Sequence, residues 1–153
     1  MWNKDRSLLL SLGLVRALLI IIPVLCLCSP WMVRWYDLTD LDGIGLLDGS
    51  VFVPLMLCLN TAGVCAMVCL VYLYRLLANI RKSEVFVHQN CKCLRIISWC
   101  CLLASVPFAV FGLWRFLSFV MAFTALFFGI ILRVVKNVIE QAVALREEND
   151  YTI

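Results

Sequence analysis

The chain has 153 residues, 64% of them hydrophobic and 15% charged, and a net charge of +3. Its mean hydropathy is +0.99. A soluble domain is about 45–50% apolar and about 25% charged, so this composition excludes a soluble enzyme, a disordered tail and a secreted disulfide scaffold, and it points to one compact membrane domain.

A helix needs about 20 apolar residues to cross a hydrocarbon core about 30 Å thick. Runs such as Leu18 to Leu27 and Phe123 to Leu132 do not alternate, which argues against a membrane β-barrel. Helices then satisfy the backbone in lipid. The expected fold is all-α, an integral membrane bundle of four transmembrane helices forming a single domain over 1–153. The spans are expected at about 10–33, 51–75, 94–114 and 116–137, with a C-terminal helical extension at about 133–149.

Arg16 is the one charge between Arg6 and Arg34. It reads either as a buried cation lining a ligand path or as a side chain that snorkels to the headgroups, the membrane proper beginning near Ala17. The spacing favours the second. The apolar run exceeds the 7–15 residues of a signal peptide and no A-x-A-like site follows, so this span is expected to be retained. Pro23 lies mid-span and should kink it. The loop 34–50 sets Asp37, Asp40, Asp42 and Asp48 against Arg34, an acidic patch.

The second span holds no charge between Asp48 and Arg75. Asn60 and Thr61 sit near its middle beside Gly63. They read as a polar site facing a cavity or, more simply, as an interhelical hydrogen bond worth about 0.6–2 kcal/mol next to a small residue that permits close approach. Pro54 falls in the first turn, where proline costs little.

The connection from Arg75 to Arg95 reads as the end of the second helix, a turn around Ser83–Glu84, an apolar plug of Val85, Phe86 and Val87, and a third helix starting near Asn90. Phe86 is expected to pack between helix ends. The basic residues can hold anionic headgroups, each worth about 1 kcal/mol near the surface. His88, Cys91 and Cys93 are residue types that bind zinc or copper. The H-x-x-C-x-C spacing matches no common closed site and lacks a fourth ligand, so they stand as weak metal candidates. Thioacylation or interfacial packing suits these cysteines better. Of the nine cysteines, Cys26, Cys28, Cys58, Cys65, Cys69, Cys100 and Cys101 lie in spans, where a thiol acts as a small apolar side chain.

The third and fourth spans are joined by a very short turn near Trp114 and Arg115, giving an antiparallel hairpin, and Pro107 should kink the third. Beyond the fourth, Val134/Val135, Val138/Ile139 and Ala142/Val143 recur every four residues between Arg133, Lys136, Asn137, Glu140 and Gln141. This is the pattern of an amphipathic helix ending near Asn149.

With the N-terminus inside, ten of the thirteen Lys and Arg fall on the cytosolic side: Lys4, Arg6, Arg75, Arg81, Lys82, Lys92, Arg95, Arg133, Lys136 and Arg146. Both termini are therefore expected in the cytosol of a cell-membrane protein. His88 is the only histidine. No span contains Asp or Glu, the carboxylate a proton-coupled exporter usually needs, and no phosphate loop, H-E-x-x-H or G-x-S-x-G occurs. The chain reads as noncatalytic, with no cofactor implied and no direct binding to nucleic acid expected.

Two segments carry a resemblance. Asn79-Ile80-Arg81-Lys82, Phe86, Asn90 and Leu94-Arg95 follow an N-I-x-x-G-x-x-F-x-x-x-N-x-x-x-L-R signature. The ending Ala142 to Ile153 follows A-x-x-L-x-x-E-N-D-L-T-I/V. In both, the chain resembles a family of small bacterial four-helix membrane proteins of unknown function, and Ser29-Pro30-Trp31 fits that family's proline-containing first-span exit. Ser83 stands where glycine is common, and Tyr151 where leucine is. The resemblance implies a partner role, because such proteins are often encoded beside a small helix-turn-helix regulator.

The function expected is that of a sensor or regulator acting through its cytosolic loop and tail. The partner-binding candidates are Asn79, Arg81, Phe86, Asn90, Glu147, Asn149 and Asp150. Their alternative role is to cap one another. A small transporter or channel subunit working as a homo-oligomer is the alternative function, with Arg16, Asn60 and Thr61 as its intramembrane polar candidates.

Overall fold

Each of the four apolar stretches forms a helix long and apolar enough to cross a membrane. A computed structural model describes residues 4–39, 45–47, 49–82 and 87–150, with side chains described for 6–39, 45–47, 49–82 and 87–148. The helices are α1 (Lys4–Leu38), α2 (Phe52–Arg81), α3 (His88–Phe111) and α4 (Leu117–Asp150). The all-α class holds. The fourth span and the C-terminal extension are one unbroken helix of 34 residues. The turn at Ser83–Glu84 and the plug residues Val85 and Phe86 lie outside the described residues, as do Asp40, Asp42, Asp48 and Tyr151.

Neighbours in sequence are neighbours in space: α1 packs on α2, α2 on α3 and α3 on α4. Among the described residues α1 makes no close backbone approach to α4. The helices therefore form an open row, with α3 inside it, and not a closed bundle. Cross-helix contacts make each pair antiparallel. Arg16 meets Tyr74, Asn79 meets Asn90, and Ser98 meets Gly129. One end of the row carries the start of α1, the end of α2, the start of α3 and the end of α4. It is called the terminal end below, and the other the turn end.

The seam of α1 repeats every seven residues. Leu12, Val15, Ser29 and Val33 are buried and Leu19, Ile22, Cys26 and Tyr36 are half-buried or partly so. These are alternating three- and four-residue steps, the repeat of a left-handed coil. Between Arg16 and Arg34 most of the rest of α1 is exposed and apolar, including Ile20, Leu27 and Trp31. Lipid suits such a face, because hydrocarbon is as apolar as leucine. The α4 seam also repeats every seven residues, through Ala122, Gly129, Lys136 and Val143, all buried. At Gly129 an added Cβ would lie 2.9 Å from Leu102 Cδ2 and 3.3 Å from the Ser98 carbonyl oxygen, so glycine is what lets α4 approach α3.

Pro30 does not end α1, which continues to Leu38. A proline cannot donate to the carbonyl four residues before it, here that of Cys26. The Ser29 hydroxyl donates to that carbonyl at 2.8 Å and supplies the missing bond. This side-chain substitution is how helices in lipid tolerate proline.

The turn end is closed by a small apolar cluster of Val51, Cys58 and Phe111, against which Tyr36, Leu55, Phe108 and Trp114 pack. The chain at 45–47 docks on the α3–α4 turn, the amides of Leu46 and Leu47 donating to the Leu113 carbonyl at 2.8 and 3.0 Å. Arg115 Nε donates to the Tyr36 hydroxyl at 3.4 Å and so ties the end of α1 to the same turn.

Candidate functional site

The terminal end gathers polar side chains from three helices. Asn79, in the last turns of α2, donates from Nδ2 to Asn90 Oδ1 at 2.9 Å. Asn90 lies in the first turn of α3 and is 1% exposed. A buried amide must be hydrogen-bonded, and this pair joins the ends of α2 and α3 on either side of their connection. Arg81 is exposed at the end of α2.

On α4, Lys136 occupies the seam and is 9% exposed. Its ammonium is paired with Glu140 one turn on, and it also donates to Asn137 Oδ1 at 3.4 Å. Cys91 lies beside Lys136 and Glu140, and Arg95 is near the same carboxylate. A buried lysine is costly unless paired, so the Lys136–Glu140 pair is what admits a cation to this seam. Farther out, His88 Nδ1 lies 3.5 Å from Glu147 Oε1, both side chains being well exposed. The Arg133 guanidinium lies 4.9 Å from the centre of the Trp99 ring, a cation–π contact between α4 and α3.

Among the expected partner residues, the structure thus joins Asn79 to Asn90 and brings Glu147 to His88. Phe86 lies outside the described residues, as do the side chains of Asn149 and Asp150. The mutual contact of loop and tail runs through His88. In the sequence pattern Lys136 and Glu140 look like gap-fillers of an amphipathic helix, and their place in the site is missed. Their four-residue spacing is the available signal.

His88, Cys91 and Cys93 do not converge. His88 is exposed while Cys91 and Cys93 are buried, and two helical residues separated by one other point about 200° apart. Among the described residues no group of three His, Cys, Asp or Glu could hold a metal ion.

The intramembrane polar candidates separate into two pairings and one local bond. Arg16 donates to the Tyr74 hydroxyl at 2.8 Å and lies over its ring, linking α1 to α2 toward the terminal end. Asn60 Nδ2 donates to the Met56 carbonyl at 2.9 Å and to Ser29 Oγ at 3.4 Å, beside the contact between Gly63 and Cys26 where α1 and α2 approach closely. Thr61 faces outward and bonds back to the carbonyls of Leu57 and Cys58 on its own helix at 2.7 and 3.1 Å.

These features define an all-helical protein with four helices of membrane-crossing length and a polar cluster at one end. The chain belongs to a family described as a protein of unknown function, DUF2975, whose model matches residues 39–153. Helices α2 to α4, which carry the polar cluster, fall within the match. Comparison with the curated proteins finds no match, and comparison with the solved structures finds none.

Proposed function

We propose that this protein is a noncatalytic multi-pass protein of the cell membrane, with both termini in the cytosol, that regulates by capturing a protein partner. The terminal end is then its cytosolic face. The partner class proposed is a small helix-turn-helix transcription regulator. The observation that carries the reading is the set of polar side chains Asn79, Asn90, His88, Lys136, Glu140 and Glu147, gathered from three helices at one end of the row. A signal in the spans or the opposite loop would shift the packing of these helix ends and so the population competent to capture.

The test is to read the neighbouring reading frames for a small helix-turn-helix regulator and to co-purify its product with the full chain and with a chain lacking residues 146–153. Loss of capture at unchanged membrane level supports the reading. Capture unaffected by the deletion refutes the role of the tail, and failure of the full chain to capture the regulator refutes the partner.

A second reading, an oligomeric transporter or channel subunit, draws on one feature. A cavity of about 300 Å³ between α1 and α2 is lined by Ser29, Cys26 and Gly63, beside Asn60. Proteoliposomes of folded protein that pass no tested ion or amphiphile would remove it.

A further inference from the structure

The cross-helix contacts and the rise of a helix give each residue a depth along the row. The Asn79–Asn90 contact serves as the reference level. Arg75 lies four residues inward of it on α2, and Arg95 five residues inward on α3, at about 6 and 7.5 Å. Arg16 meets Tyr74, five residues inward on α2, and so also lies at about 7.5 Å. Ser98, eight residues inward on α3, meets Gly129, and Arg133 stands four residues back toward the terminal end, again at about 6 Å. Each helix thus supplies one arginine to a common level, and all four are exposed.

Aromatic rings hold three of the four. Arg16 donates to the Tyr74 hydroxyl at 2.8 Å and lies 5.4 Å from the centre of its ring. Arg75 lies 5.4 Å from the centre of the Tyr72 ring, and Arg133 4.9 Å from that of Trp99. A guanidinium stacked in this way keeps N–H edges for an anion that accepts two bonds. Among the described residues no carboxylate stands at this level. Helices α2 and α3 contain no Asp or Glu, and α1 has none between Asp5 and Asp37. The first on α4, Glu140, lies about 10 Å outward of Arg133, and Arg95 is the one of the four near it.

The depth matches a headgroup layer. From Arg16 to Arg34, the next charge on α1, is 18 residues or about 27 Å, close to a hydrocarbon core of about 30 Å. The headgroup layer on each side is about 5–7 Å thick, and the four arginines differ in depth by less than that.

We propose that Arg16, Arg75 and Arg133, with Arg95, form a collar that binds the phosphates of anionic phospholipids in the leaflet at the terminal end. The occupant is anionic because the collar gathers four positive charges with no carboxylate at its level, and a zwitterionic headgroup would bring an ammonium into the same field. The turn end differs, since Asp37 follows Arg34 one turn on. The collar rests on the membrane placement proposed above and does not depend on the regulator.

The test uses the full chain reconstituted in phosphatidylcholine bilayers, with insertion checked by flotation so that a failure of bilayer placement is seen separately. Spin-labelled phosphatidylglycerol and spin-labelled phosphatidylcholine are compared by the fraction immobilised at the protein surface. Phosphatidylglycerol should associate more strongly, by up to about five-fold where one guanidinium contacts the lipid. R16Q/R133Q should lose most of that preference. The charge-matched R81Q/K82Q, altered about 9 Å or more outward of Arg75, should keep it. In the unaltered chain, phosphatidylglycerol with a photo-crosslinker on its headgroup should label peptides around Arg16, Tyr72 to Arg75, Trp99 and Arg133, a readout that needs no variant to fold. Equal association of the two lipids with inserted protein, equal loss in the two variants, or labelling concentrated around Arg34 and Arg115 would each overturn the proposal.

Discussion

Replacing Ser29 by alanine probes how α1 passes through Pro30. Ser29 is 3% exposed, and its hydroxyl donates to the Cys26 carbonyl and accepts from Asn60. The variant leaves a carbonyl without the donor that proline also lacks, at a position where the protein itself leaves little access to water. An unsatisfied buried polar group costs about 1–3 kcal/mol. The 3.4 Å bond from Asn60 is long, and interhelical bonds of this kind average about 0.6 kcal/mol, so it adds little. S29A should therefore destabilise by about 1–3 kcal/mol, chiefly through the carbonyl. Adding P30A restores a backbone N–H four residues after Cys26. In that background the cost of S29A should shrink to about 0.5–1 kcal/mol, a coupling of about 0.5–2 kcal/mol between adjacent positions. The measurement is reversible unfolding in detergent micelles for the two single variants, the double variant and the parent. An S29A cost that is the same with and without the P30A change would show that the hydroxyl does not stand in for the missing amide, and the argument would fail.

Three further outcomes follow from the packing. N90A leaves Asn79 without its acceptor and should cost about 1–3 kcal/mol in the same assay, with a coupling to N79A of about 0.5–1.5 kcal/mol; additive effects would mean that the pair does not act as a unit. G129V places methyl groups against Leu102 and the Ser98 carbonyl and should cost about 1–3 kcal/mol, whereas in G129A about 1 kcal/mol of helix propensity offsets part of the clash; equal stability of G129V and the parent would refute the close approach. H88A should change stability near neutral pH by no more than about 1 kcal/mol, because exposed ion pairs contribute little; a larger loss would assign His88 a structural role that its exposure argues against.

The helices were legible because hydropathy over a span is a strong signal and the charges that interrupt it are few. Their faces were less so. In a soluble protein the large apolar residues of α4 would mark its buried side, and the expected stripe ran through Val134/Val135, Val138/Ile139 and Ala142/Val143. Val134, Val135 and Val138 are exposed, Ile139 and Ala142 half-buried and Val143 buried, so only the C-terminal part of that stripe meets the seam, which runs through Ala122, Gly129, Lys136 and Val143. In lipid there is no gain in hiding valine from its surroundings, so close approach and polar pairing decide the face, and small residues at seven-residue spacing were the sign to read. The passage of α1 through Pro30 has a local cause. The proline was visible in the sequence, and the Ser29 hydroxyl that bonds the Cys26 carbonyl lets the helix continue to Leu38. The polar candidates were partly legible. Asn79 and Asn90 were marked by the loop signature that carries the family resemblance, while their pairing depended on how α2 and α3 meet across the connection.

The two helices of the last hairpin differ in length, and the difference locates the part of the tail that extends past α3. α3 has 24 residues and α4 has 34, about 36 and 51 Å at 1.5 Å per residue. Starting from a shared turn, α4 must outrun α3 by about ten residues, or roughly 15 Å. Up to Val143 the seam is anchored by burial and by the Lys136–Glu140 pair beside Cys91. Past it, Leu145 to Glu148 are exposed, and Glu147 reaches back to His88 through an exposed contact. Contacts of that class are worth about 0–1 kcal/mol, so a partner would forfeit little in displacing this one. Breaking the Lys136–Glu140 pair would instead leave a buried ammonium uncompensated. The buried seam therefore ends near Val143, and a regulator that engaged the tail at Glu147 would displace the His88 contact without unpacking α4 from α3.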